Sequence, residues 1–101
     1  MPETQVLYAA NSWGVTILPY LPIYNSDSIE AQVLQLLRRG DIVEVLEQRP
    51  DAEFMYGDRN HWYRILHNSS EAWSFGAGFR FFPTEDQAHD AARRLLHGEN
   101  F

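Results

Sequence analysis

Turn-forming residues cut the chain into short apolar runs as far as Phe82, and only the segment after Thr84 carries helical spacing. The breakers are Asn11-Ser12, Gly14, Pro19, Pro22, Asn25-Ser26-Asp27-Ser28, Gly40-Asp41, Pro50, Gly57-Asp58, Asn68-Ser69-Ser70, Gly76 and Gly78. Apolar runs this short between such residues suit strands better than helices. The clearest is Ile42-Val43-Glu44-Val45-Leu46-Glu47, which is β-branched and half-alternating. Residues 62–66 and 71–75, joined by His67-Asn68-Ser69-Ser70, read as a hairpin.

Other stretches are less decided. Residues 5–10 form a short apolar run closed by Asn11-Ser12. Pro19 and Pro22 exclude a central strand from Tyr20 to Tyr24 and favour an extended, loop-like path. Residues 31–37 fit a strand or a helix equally well. Residues 48–61 read as a long loop, because Pro50, Gly57 and Asp58 interrupt Phe54-Met55-Tyr56.

After Pro83 the pattern changes. Thr84 with Gln87 three residues on is a capping box, and Glu85 and Asp86 suit the positive end of a helix dipole. Ala88, Ala91, Ala92 and Leu95 share one face, and Gly98 stands where a C-terminal cap belongs. The expectation is a single domain over residues 1–101. A mainly β barrel of five to seven short strands would occupy 15–82, and an amphipathic helix 84–98.

Composition removes several function classes. A chain of 101 residues holds one core, and a hydrophobic fraction of 45% is enough to pack it. Without cysteine there is no disulfide, thiolate nucleophile or cysteine-ligated zinc. The net charge is −6 and all basic residues are arginine, with no basic stripe, which argues against nucleic acid. No apolar run approaches the ~18 residues of a membrane span, and MPETQVLYAA lacks the pattern of a signal peptide.

The block from Leu37 to Leu46, LRRGDIVEVL, resembles the L-x-x-G-x-x-V-x-V-L block of the bacterial Src-homology-3 family. Trp62-Tyr63-Arg64-Ile65 is similar to that family's W-Y-x-V strand, and Glu71-Ala72-Trp73 to its G-W-V strand. The run from Leu21 to Ser26, LPIYNS, stands where the family reads L-N-V-R-S-G. The resemblance spans roughly residues 15–82 and implies an SH3-like barrel. It further implies a non-catalytic module in a bacterial cell-envelope or periplasmic protein, binding an extended peptide, a cell-wall (peptidoglycan) peptide or a protein partner, with no cofactor.

Side-chain alternation in 62–66 puts Tyr63 and Ile65 inside with Val43 and Val45, and Trp62 at the barrel rim. Trp73 is assigned to the core with Phe75. Trp62, Tyr24 and Tyr56 would then offer an aromatic groove to an extended peptide. Asp27 and Asp58, with Asp51 and Glu53, would make its rim acidic and favour a ligand carrying an amine or arginine. The competing reading covers these aromatics with the chain's own helix or another subunit, making this an assembly domain. His61 and His67 flank one strand without a third metal ligand. Ser69 and Ser70 beside His67 lack the setting of a nucleophile. His89, Asp90 and His97 belong to the polar face of the helix.

Overall fold

The computed structural model describes residues 12–98, so the apolar run at 5–10 and Asn11 lie outside the described residues. The strands are β1 (Trp13–Thr16), β2 (Tyr20–Tyr24), β3 (Val33–Arg38), β4 (Ile42–Met55), β5 (Asp58–His67), β6 (Ser70–Phe75) and β7 (Phe79–Phe82). A 3-10 turn, Gly76–Gly78, links β6 to β7, and the helix α1 (Glu85–Leu96) follows. The strands form one curled antiparallel sheet in the order β3-β2-β6-β5-β4-β1-β7, a half-barrel compatible with a small SH3-like barrel. The mainly β architecture with one terminal helix is the one expected.

The inside of the curl is the main core: Leu21, Ile23, Leu37, Val43, Val45, Tyr63, Ile65, Ala72 and Phe79. Val43, Val45 and Ile65 are at most 3% exposed, as alternation along β4 and β5 requires. Full burial of each such side chain contributes about 1.5–3 kcal/mol. At Gly76 the chain passes so close to this core that an added Cβ would lie 2.5 Å from Tyr63 Cε1.

A second cluster lies under α1, where Ala88, Ala91, Ala92 and Val15 are buried and Trp13, Ile42, Phe82 and Leu95 are half-buried around them. The cap forms as expected, with Thr84 Oγ1 accepting the Gln87 amide at 3.2 Å. Glu85 and Asp86 occupy the first turn and Arg93 and Arg94 the last, each matching the local sign of the helix dipole.

Two sequence expectations are corrected and one ambiguity is resolved. Residues 48–61 are not a loop but the outer half of the β4–β5 hairpin. Pro50 is accommodated because the register jumps from Gln48↔Tyr63 to Ala52↔His61, so a bulge absorbs the residue that cannot donate. Tyr56 and Gly57 close the hairpin with φ of 58° and 77°, the left-handed pair a two-residue turn needs. Asn68 and Ser69 close β5–β6 in the same way, with φ of 50° and 65°.

Tyr20–Tyr24 is a strand, not a loop, despite Pro22. The Pro22 carbonyl accepts Ser74 Oγ at 3.0 Å, so the polar side of Pro22 faces β6, where β2 pairs only through Tyr24↔Trp73. The missing N–H therefore falls where no ladder bond is required. The ambiguous stretch at 31–37 resolves as the terminal strand β3.

Candidate functional site

The aromatics expected to form a groove do converge, but as packing. Tyr24 from the end of β2, Trp62 from β5 and Phe75 from β6 form a third buried cluster on the other side of the sheet from the main core. Met55, Trp73, Ala31 and Ala77 pack against it. Trp62 stands edge-on to Tyr24 at 5.5 Å and to Phe75 at 5.8 Å between ring centroids. The Tyr56 ring meets Phe75 at 6.1 Å. Edge-to-face contacts of this kind add about 0.5–1.5 kcal/mol each beyond area burial.

The placement of Trp62 at an open rim is corrected: it is 2% exposed, and Tyr24 is 5% exposed. The reason lies in the hairpin. Because 48–61 is ordered as strand, Met55 and Tyr56 reach the outer faces of β5 and β6, and Glu53 Oε1 accepts the Trp62 indole N–H at 3.3 Å. The two tryptophans exchange roles. Trp73 shares the Phe75 side of β6, as alternation requires, yet it is the one left half-buried.

Tyr56 is the exposed one of the three predicted aromatics, at 43%. Partial burial, then a hydrogen bond with the Tyr24 phenol, pushes its pKa up to about 12. In the main core, burial also raises the Tyr63 pKa, opposed by the hydrogen bond from Gln48 Nε2 at 3.0 Å.

The two predicted aspartates each have a partner in the fold. Asp27 is ion-paired to Arg49 at 3.0 Å, and Asp58 Oδ1 accepts the Arg59 amide at 2.9 Å beside the hairpin turn. Arg49 lies 3.7 Å from Glu47, and Arg64 links Glu47 at 3.0 Å to Glu71 at 2.8 Å. The Glu47 hydrogen bond holds the Arg64 guanidinium above its ordinary pKa. Such half-exposed pairs each contribute about 0.2–1 kcal/mol. They also neutralise part of the rim that the sequence reading made acidic.

A cleft of about 650 Å³ lies between β7 and α1, with Phe81, Phe82 and Ala91 in its walls. None of the predicted residues lines it. Asp90, also in its lining, pairs with Arg94 at 2.6 Å and with Arg93 at 3.2 Å, so that charge is compensated. No group of three or more metal-ligating side chains occurs among the described residues. No helix among them is long and apolar enough to cross a membrane.

The sequence reading missed a group of exposed apolar side chains; Phe54 and Tyr56 at the β4–β5 tip and Leu96 at the end of α1 are exposed apart from it. Tyr20 (59%), Ile29 (59%), Val33 (48%), Leu34 (48%) and Leu36 (50%) all belong to β2, β3 and their connection. Residues 33, 34, 36 and 37 are apolar on both strand parities, but that β3 has one neighbouring strand among the described residues comes from the fold alone.

No family model, curated protein or solved structure matches the chain. Fold and surface define a small antiparallel half-barrel whose described residues include a C-terminal helix and an apolar strand, β3, at one end of the sheet.

Proposed function

We propose that the protein is a non-catalytic assembly domain that holds polypeptides together through the β2–β3 edge. The observation that carries this reading is the division of its apolar surface. Trp62 and Tyr24, the natural floor of a peptide groove, lie beneath the chain's own hairpin, whereas Leu34 and Leu36 on a terminal strand stand half exposed. A terminal strand also presents unpaired backbone N–H and C=O groups, which give strand addition its affinity. The bacterial SH3-type resemblance supports an interaction role, and the cell-envelope setting rests on that resemblance alone.

A photo-crosslinking residue at position 34, in cells that naturally make the protein, tests this reading. The expected result is a discrete adduct from position 34 and none from position 93 on the exposed face of α1. No adduct at 34, or equal adducts at both positions, would overturn the reading.

A further inference from the structure

We propose that the occupant of this edge is a second copy of the same chain, its β3 added antiparallel to β3 of the first. The proposal rests on the assembly reading above and names its partner. Three observations carry it.

The open edge has a defined polarity. Because the Pro22 carbonyl points toward β6, the Pro22↔Leu36 pair is one whose members do not bond to each other. The Leu36 N–H and C=O therefore point away from β2, toward the open side of the sheet. They are the groups an added strand would engage.

The two ends of the sheet are treated differently. At one end β7 is a four-residue strand carrying exposed Arg80 and followed at once by Pro83, and α1 packs against β1 and β7 beside it. Shortness, charge and proline are the ordinary protections of an edge. β3 is longer, holds no proline, carries a charge only at its last residue, Arg38, and has apolar side chains on both faces.

The charges along the strip are self-complementary. The turn leading into β3 carries Glu30, and its far end carries Arg38 and Arg39. Antiparallel pairing of two copies brings Glu30 of each toward Arg38 and Arg39 of the other, twice by symmetry. Parallel pairing would set like charges together. The Arg38 guanidinium lies 5.1 Å from the ring centroid of Tyr20, its cross-strand neighbour on β2, and the Asp41 carboxylate accepts the Arg38 amide at 2.8 Å. A chain of net charge −6 should repel its copies, whereas this strip, with Arg38 and Arg39 against Glu30 and Asp41, is balanced.

Sedimentation velocity of the purified full chain across a concentration series tests the proposal. The parent is expected to sediment as a dimer that dissociates on dilution. Leu34→Glu sets like charges close together on the paired strands and should weaken dimerisation about tenfold or more. Glu30→Arg should weaken it as well, and combining it with R38E and R39E should restore it. Near-ultraviolet circular dichroism of the tryptophans verifies that each variant is folded.

A parent that stays monomeric at every soluble concentration overturns the proposal, as does a dimer indifferent to both L34E and E30R. A monomeric parent that still yields a heavier, heterologous adduct from position 34 rejects the second copy as occupant but leaves the assembly reading intact. A monomer with no adduct rejects both.

Discussion

Trp62 of β5 stands edge-on to Tyr24 of β2, their ring centroids 5.5 Å apart and their planes at 76°. The contact reaches across β6 and reinforces the junction at which β2 and β6 share the ladder pair Tyr24↔Trp73. Trp62 is thus a structural side chain. Trp62→Ala should destabilise the fold by about 3–5 kcal/mol, the usual cost of removing a buried large aromatic. Urea denaturation followed by far-ultraviolet circular dichroism measures it, and a loss below about 1 kcal/mol would show that the cluster is not core.

Thr16 is fully buried on β1, and its hydroxyl has no hydrogen-bond partner among the described residues. A buried unsatisfied hydroxyl costs about 1–3 kcal/mol, and valine keeps the shape without that oxygen. Thr16→Val should therefore leave stability unchanged or raise it by about 1 kcal/mol, read from the same denaturation midpoint. A loss of stability would mean that the hydroxyl is bonded in solution.

Alkaline pH provides a separate check on the hairpin. The Tyr56 pKa is raised from 10.0 to about 12 in the folded protein. A raised pKa means that the native state keeps its proton where the unfolded chain has lost it. The associated stability is therefore complete below pH 10.0 and is lost as pH climbs toward about 12. Tyr56→Phe should flatten that part of the stability–pH curve while leaving the neutral region nearly unchanged. Tyrosinate absorbance should show one fewer late-titrating phenol.

Much of the fold is legible in the residues because the period-2 and helical signals are local. The β-branched run from Ile42, the 62–75 hairpin and the Thr84 cap each form where their own chemistry places them. The outer half of β4–β5 was hidden because a proline in a bulge and a glycine in a tight hairpin look, residue by residue, like a loop. The site was harder for a different reason. Alternation sorted Trp62 correctly to the face opposite Ile65, but it cannot reveal that this second face is covered as well. Covering it depends on the hairpin tip, brought there by tertiary structure. The β3 edge was likewise illegible, because an apolar strand reads the same at the edge of a sheet as at its centre.

The surface assignment turns on the backbone of Leu36, whose N–H points to the open side of β3. Amide hydrogen exchange, recorded over a range of protein concentrations, follows that group directly. Occupation of this edge by a second copy predicts rapid exchange at Leu36 in dilute solution and protection that grows with concentration. Over the same range the Trp62 indole N–H, bonded to Glu53, should stay protected and unchanged. A Leu36 amide that exchanges equally fast at every concentration, or protection that appears instead at Trp62, would contradict it.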